Sequence, residues 1–386
     1  MIRTDVVVIG GGILGASAAY QLARAGHQVT VLERGAPNRE GSGTTAGNLH
    51  IQGIHTKRPG QAVAADNLRF LPLQRTASAM WSALPDELDA DIELTRNGGF
   101  MVAETPDQVA ELHAKLAVEL ELGLSCEIVS GDEARSRMPA LSESVIAAEW
   151  CAEDGYANPL LVTPAYLAAA RRHGAQVEAF SPVTAIERDG GAYVVRSSHR
   201  AWSAAAVIDT AGPWIADVAA LAGIALDMSP VAIQMHITTR MPPRTLSCLV
   251  QHIGAGMSVK QVTAGNILIG GGWPATEFRS EGRSRVATES ISGNLHQAAA
   301  ILPVLRELRL LRTWAGPLAA TPDEMPVIGE VPSSPGFFVA GGTYAFTLAP
   351  LWGHVLRDLV EGNRPAEPVA DLGVDRLELE AVAHQR

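Results

Sequence analysis

The stretch that decides the fold is Val6-Val7-Val8-Ile9-Gly10-Gly11-Gly12-Ile13-Leu14-Gly15, together with the residues from there to Glu33-Arg34. Four consecutive β-branched residues, with no polar alternation, read as a parallel strand buried on both faces. The glycines break that strand. Ala16, Ala19, Leu22 and Ala23 then recur at helical spacing, and Gly26 stops the helix. Gln28-Val29-Thr30-Val31-Leu32 reads as a second strand with Glu33 at its end. Each glycine of Gly10-x-Gly12-x-x-Gly15 has a physical reason. The first permits a tight turn, the second lets backbone approach a pyrophosphate, and the third lets helix and sheet pack closely. The helix start offers free N–H groups to phosphates, and a carboxylate at Glu33 can accept hydrogen bonds from ribose hydroxyls. A lone glycine triplet is ordinary turn chemistry, whereas strand, turn, helix, strand and Glu in this order predict dinucleotide binding. The motif does not by itself separate NAD from FAD.

Outward from that unit, residues 38–60 read as a Gly-, Thr- and His-rich loop, and 61–84 as a helix ended by Pro85-Asp86. A strand is expected at 98–102. A helix at 108–123 opens on the cap and proline of Thr105-Pro106-Asp107. Helices are also expected at 161–173, 285–302 and 349–361. Strands are expected at 174–178, 183–186, 193–196, 205–209, 234–238, 257–261, 267–270 and 337–340. The fold class is therefore α/β: a Rossmann-like doubly wound nucleotide domain with an interleaved β-rich substrate domain. The expected division gives 1–85, 146–225 and 314–386 to the first, and 86–145 and 226–313 to the second.

Composition excludes several classes of function. The 386 residues are 47% hydrophobic and 18% charged, which suits a large core and not a disordered chain. Lys+Arg is 30 against Asp+Glu 41, a net charge of −11, which offers no footprint for nucleic acid. Cys126, Cys151 and Cys248 form no CxxC and no cluster spacing, so three buried reduced thiols in a cytoplasmic protein are expected, with no metal. The start of the chain predicts no secretory leader, and no apolar run predicts a membrane span.

Further stretches carry a resemblance. Ser42-Gly43-Thr44-Thr45-Ala46-Gly47, Asp154-Gly155-Tyr156-Ala157-Asn158-Pro159 and Val207-Ile208-Asp209-Thr210-Ala211-Gly212-Pro213-Trp214 come after the first unit in order. Then come Arg312-Thr313-Trp314-Ala315-Gly316, Thr321-Pro322-Asp323, Met325-Pro326-Val327-Ile328-Gly329 and Gly341-Gly342-Thr343-Tyr344-Ala345-Phe346-Thr347-Leu348-Ala349-Pro350. Together they resemble the FAD-dependent amine oxidoreductases, the superfamily of D-amino-acid oxidase, glycine oxidase and sarcosine oxidase, over nearly the whole chain. Gly98 to Thr105, Ser258-Val259-Lys260-Gln261 and Ile269-Gly270-Gly271-Gly272-Trp273 resemble in particular the flavoprotein (B or β) subunits of heteromeric dehydrogenases. Those include opine oxidase, D-hydroxyproline dehydrogenase and hydrogen cyanide synthase.

The resemblance implies an FAD site. It includes Gly10, Gly12, Ile13, Leu14, Gly15, Glu33 and Arg34, and the run Ser42, Gly43, Thr44, Thr45, Ala46, Gly47, Asn48 and Leu49 against the ribityl chain and flavin ring. Val183 would meet the adenine, with Ala211, Gly212 and Trp214 beside the pyrophosphate. Thr343, Tyr344, Ala345, Phe346 and Thr347 would lie at the flavin face, with the helix after Pro350 aimed at the pyrimidine. The candidate catalytic residues are Lys260, Tyr344 and His50, with His55, Lys57 and Arg58 as further polar candidates. Lys260 resembles the lysine over flavin N5 in sarcosine oxidases. An equal alternative is a surface lysine on an alternating strand.

Departures from the family pattern matter too. Leu318 stands where many single-chain relatives place a carboxylate-binding Arg, and Thr347 stands near where sarcosine oxidases place a basic residue. Asn158 or Pro159 stands where the sarcosine oxidase β subunit carries a flavin-linked histidine. Covalent FMN is therefore not expected, and a non-covalent FMN at a partner interface stays open. The resemblance implies oxidation of an amino acid or secondary amine acid by hydride transfer to FAD, as the catalytic subunit of a hetero-oligomer. An iron–sulfur partner chain would take the electrons. The location implied is cytoplasmic, with any membrane association made through that partner. The alternatives are a self-sufficient oxidase using O2, and a non-catalytic FAD-binding scaffold.

Overall fold

The computed structural model describes residues 1–54, 70–276, 278 and 284–379. Val6–Ile9 and Val29–Leu32 pair in parallel, Val6 opposite Val29 and Ile9 opposite Leu32, and the helix Ile13–Arg24 connects them. Every residue of both strands is buried, which is why neither shows polar alternation. Six strands form this sheet, in the spatial order Val327–Glu330, Phe337–Gly341, Ala206–Asp209, Val6–Ile9, Val29–Leu32, Gln176–Glu178. Only the pairing of Val327–Glu330 with Phe337–Gly341 is antiparallel.

The two faces of the sheet feed different cores. Val6 and Val8 pack with the helices Ile13–Arg24, Leu71–Leu88, Pro159–Arg172 and Ala345–Val360. Val7 and Ile9 pack with Ile186, Tyr193 and Trp202. Those three come from a four-stranded sheet of Ile2–Arg3, Ala201–Ala204, Ala192–Ser197 and Val183–Asp189. The helices Ile13–Arg24 and Ala345–Val360 lie close together. Ser17 Oγ donates to the Ala349 carbonyl at 2.7 Å, and a side chain on Gly353 would collide with Ser17.

An eight-stranded sheet forms the second layer, in the order Leu310–Ala320, Ser229–Arg240, Asn266–Gly270, Ser258–Gln261, Leu249–His252, Gly99–Ala103, Ala147–Cys151, Cys126–Ser130. Its core joins Phe100, Val102, Val250, Val259 and Ile269 to the helix Thr288–Ile301. Strands Ala147–Cys151 and Leu310–Ala320 belong to this sheet, so the divisions drawn from the sequence at 146 and 314 do not coincide with sheet membership.

Several elements differ from the sequence reading. The helix Leu71–Leu88 passes through Pro85 instead of ending there. A proline in the last turn forfeits one backbone bond, and buried Trp81, Leu84 and Leu88 hold the turn in place. Residues 61–69, where that helix was expected to begin, lie outside the described residues. The final helix runs Ala345–Val360, so Pro350 lies inside it and does not mark its start. Burial of Phe346, Leu348, Leu351 and Trp352 offsets the missing bond. Within 38–54, read as loop, the chain forms a short helix Gly41–Thr44 and a strand Asn48–Leu49. Thr105 and Gln108 form a reciprocal capping box on the helix Pro106–Glu121.

Candidate functional site

The glycine turn shows three separate constraints. Gly10 has φ +110°, and a Cβ there would lie 2.5 Å from the Thr210 carbonyl oxygen. A Cβ on Gly15 would strike the Gly10 carbonyl, so this glycine allows the helix to sit on the strand. A Cβ on Gly12 would meet only Ser42 Oγ, at 2.9 Å. The helix Ile13–Arg24 has no capping side chain at Gly12, and Ser42 Oγ takes one early N–H, that of Ile13, at 2.9 Å. Its first turn faces a groove with the dipole's positive end.

That groove has two connected parts. One of about 420 Å³ is lined by Glu33, Arg34, Val183, Ala211 and Trp214, among others. The other, of about 370 Å³, is lined by Thr45, Ala46, Asn48, His50 and the run Thr343 to Thr347. Gly12, Gly41, Ser42, Thr210, Gly212 and Pro213 line both, so the two form one elongated channel. At the first end, Glu33 accepts the Gly11 N–H at 2.7 Å and the Gly35 N–H at 2.8 Å, one on each carboxylate oxygen. Each oxygen keeps a further lone pair. The Arg34 guanidinium stacks 3.5 Å from the Trp214 ring centroid. At the second end the helix Ala345–Val360 begins without a side-chain cap, from Tyr344 at φ +57°.

Three buried polar atoms at this second end have no partner among the described residues: Asn48 Oδ1, His50 Nδ1 and Gln251 Nε2. A channel with one helix start at its junction and another at its second end, a carboxylate with free lone pairs at its first end and unpaired polar atoms at its second fits the shape and chemistry of an FAD.

Most sequence-predicted residues line this channel, and some stand behind it. Gly15 packs helix on strand. Gly43 closes on the Asn38 carbonyl, and Gly47, at φ +72°, on that of Ala157. The Thr44 carbonyl accepts from Trp314 Nε1 at 2.8 Å, and Leu49 is fully buried opposite Gly155. Lys260 does not line the channel. Nor is it a surface lysine: it is 2% exposed, donates to the Ala46 carbonyl at 2.5 Å, and lies 4.2 Å from the Tyr156 ring centroid. His55, Lys57 and Arg58 lie outside the described residues. Leu318 and Thr347 are on the wall, as neutral side chains. Asn158 caps the helix Pro159–Arg172 and also reaches Glu93, so both ends of its amide are engaged.

Comparison with known proteins decides the family. The model of the DAO family, described as FAD-dependent oxidoreductase, matches residues 5–359. The chain belongs to the DAO family of FAD-dependent oxidoreductases. Glycine oxidase of Geobacillus kaustophilus (strain HTA426) is 28% identical to it over 97% of both chains. A crystal structure of glycine oxidase from that species superposes with TM-score 0.87, at 27% identity, covering 97% of this chain and 99% of the other. Hydrogen cyanide synthase subunit HcnC of Pseudomonas aeruginosa is 28% identical over 88% of each chain. The B subunit of opine oxidase of Agrobacterium tumefaciens (strain Ach5) is 26% identical over 90% of this chain and 91% of its own.

In this DAO-family enzyme the wall at His50 is supported by buried carboxylates that sequence reasoning did not single out. Asp154 accepts the N–H groups of Ile51 at 2.7 Å and Gln52 at 3.3 Å, and Gln52 Nε2 at 2.7 Å. Burial pushes its carboxyl up to about 6 against those donors. Glu119 accepts the Gly53 N–H at 2.5 Å. Its Oε1 and Glu149 Oε1 each lie 2.7 Å from Lys115 Nζ, with all three side chains fully buried. Among the described residues, Glu119 Oε2 and Glu149 Oε2 have no hydrogen-bond partner. Burial and the adjacent Glu119 raise the Glu149 carboxyl well above its usual range, against the pull of Lys115. Burial, with the nearby Lys260, lowers His50 to about 3, so its ring stays neutral. Burial drives Lys260 well below the usual lysine range. The three cysteines are free and buried, and no described helix is long and apolar enough to cross a membrane.

Proposed function

We propose that this oxidoreductase dehydrogenates a small amino acid or secondary amine acid at the Asn48–His50–Gln251 end of the channel. The observation that carries the reading is the set of unpaired polar atoms there, Asn48 Oδ1, His50 Nδ1 and Gln251 Nε2. They share this end of the channel with apolar side chains, including Ile54, Ile233, Met235 and Met257. Apolar walls with a few convergent polar groups orient a small polar substrate and exclude water. Bound FAD supplies the two-electron acceptor. The chain's own residues position and desolvate. Gln251 offers a donor, Asn48 an acceptor, and neutral His50 a hydrogen bond without charge. The uncapped start of Ala345–Val360 offers N–H groups where negative charge would develop.

The finer reading is a catalytic flavoprotein subunit of a hetero-oligomer, with an iron–sulfur partner accepting electrons. Two relatives named as subunits support it. So does the position of Lys260, the candidate charge for O2 activation, which stands behind Ala46 and not on the wall. A non-covalent FMN at that partner interface and a cytoplasmic location belong to the same reading. The similarity to glycine oxidase over 97% of both chains favours a second one, a self-sufficient oxidase.

The test is anaerobic mixing of the flavin-loaded chain with glycine, sarcosine, D-hydroxyproline and opines, following flavin bleaching, and then an aerobic peroxide assay. Bleaching with slow peroxide release, rescued by a co-expressed iron–sulfur subunit, supports the heteromeric reading. Rapid stoichiometric peroxide from the chain alone supports the oxidase. No bleaching by any amine overturns both.

A further inference from the structure

Glu324 is the sole charged side chain among the described residues lining the His50–Tyr344 end of the channel. Three features set it apart. Its backbone is left-handed, φ +58°, a conformation that glycine adopts more readily than a residue with a side chain. Its carboxylate makes no ion pair among the described residues, whereas its neighbour Asp323 is bound by Arg376 at 2.8 Å. Its carbonyl accepts the Thr343 hydroxyl at 2.5 Å, which ties it to the next residue, Tyr344, itself left-handed at φ +57°. Among the described residues, then, this carboxylate has no ion-pair partner, and it stands at the exposed edge of a largely apolar cavity, on a turn held by the Thr343 hydroxyl.

Resting on the amine-oxidising reading above, we infer that Glu324 is a specificity-determining residue, the counter-ion for a second cationic group on the substrate, away from the carbon that is oxidised. The substrate class is a dibasic amino acid, its N-substituted derivative, or a comparable diamine. A neutral zwitterion the size of glycine would leave the carboxylate unused. Low-dielectric walls on one side strengthen the pairing relative to an open surface. The exposed edge leaves it sensitive to salt.

The experiment uses the flavin-loaded protein, wild type and the variants Glu324→Gln and Glu324→Gly, without oxygen. Binding of arginine and agmatine is read against binding of glycine and sarcosine, by perturbation of the flavin absorption band and by protein fluorescence. Expected are a wild-type preference for the cationic ligands that shrinks as salt is raised, and a drop of about tenfold in the cationic-to-neutral affinity ratio in both variants. Tenfold corresponds to about 1.4 kcal/mol. Glu324→Gly should also raise the melting temperature, because the backbone relaxes. If neutral amines bind and the ratio is the same in all three proteins, the inference is overturned while the amine reading stands. If no amine or amino acid perturbs the flavin of any of them, both fall together.

Discussion

Lys260 Nζ lies 2.5 Å from the carbonyl oxygen of Ala46, a residue 214 positions earlier in the chain. The amino group thus ties the strand Ser258–Gln261 to the back of the channel wall. Its described surroundings hold no carboxylate partner, only the Tyr156 ring face. Because its folded pKa is depressed, the unfolded chain takes up a proton that the folded chain refuses. Stability therefore rises with pH until the unfolded value near 10.5 is reached. Lys260→Met removes that dependence. Between pH 7 and 10 its unfolding free energy should climb less steeply than wild type, by up to about 1.36 kcal/mol per pH unit. Urea titrations across that range measure it. Equal slopes would show that Lys260 is solvated.

His50 and Asp154 oppose one another. The His50 ring, lowered to about 3, makes the unfolded state the greater proton binder below pH 6.5, so it contributes stability that is lost as pH falls from 6.5 towards 3. Asp154, raised to about 6, makes the folded state the greater binder, so its contribution is lost as pH rises from 3.8 through 6. Between pH 4 and 6 the two nearly cancel. His50→Phe should lower the slope of stability against pH in that window by up to about 1.36 kcal/mol per unit, and Asp154→Asn should raise it by a similar amount. Shifts in the same direction would contradict the assignment.

Gly12 and Gly15 look alike in the sequence and should fail differently. A Cβ at Gly15 meets backbone that cannot move, so Gly15→Ala should destabilise the flavin-free protein by about 1–3 kcal/mol. A Cβ at Gly12 meets a side chain that can rotate, so Gly12→Val should leave the flavin-free protein folded but colourless after purification. The flavin-to-protein ratio and the flavin-free melting curve separate the two. A yellow Gly12→Val protein would refute the role given to that turn.

Lys115 compensates two fully buried carboxylates. Lys115→Met leaves them without a cation and should cost about 3–5 kcal/mol. Adding Glu149→Gln to that background should restore part of the loss, because an amide can donate to Glu119 without adding charge. No rescue in thermal or urea unfolding would mean that the cost does not come from two carboxylates left side by side without their cation.

What the sequence made legible was local. The turn from Val6 to Glu33 could be read because strand run, glycine spacing and helical period all fall within one short stretch. Gln251, Glu324 and Asp154 were not read as site residues. Each reaches the channel wall, or the loop behind it, only through pairings between distant segments, such as Leu249–His252 beside Gly99–Ala103. Lys260 was ambiguous for a related reason. Strand alternation shows that a side chain shares a face with Ser258, but not what covers that face, and here it is the loop at Ala46. Pro350 looked like a helix start because proline favours first turns. The buried residues around it carry the helix one turn further back.

Ser17 and Ala349 are hydrogen-bonded across 332 positions. Two of the channel's walls are therefore made at widely separated times during translation. At about 5–20 residues per second, the glycine turn leaves the ribosome roughly 20–60 s before the helix that faces it. Until then only one side of the channel has been synthesised. Flavin capture is thus the closing act of biogenesis and not its seed. Scarcity of the vitamin should act on a chain already synthesised in full.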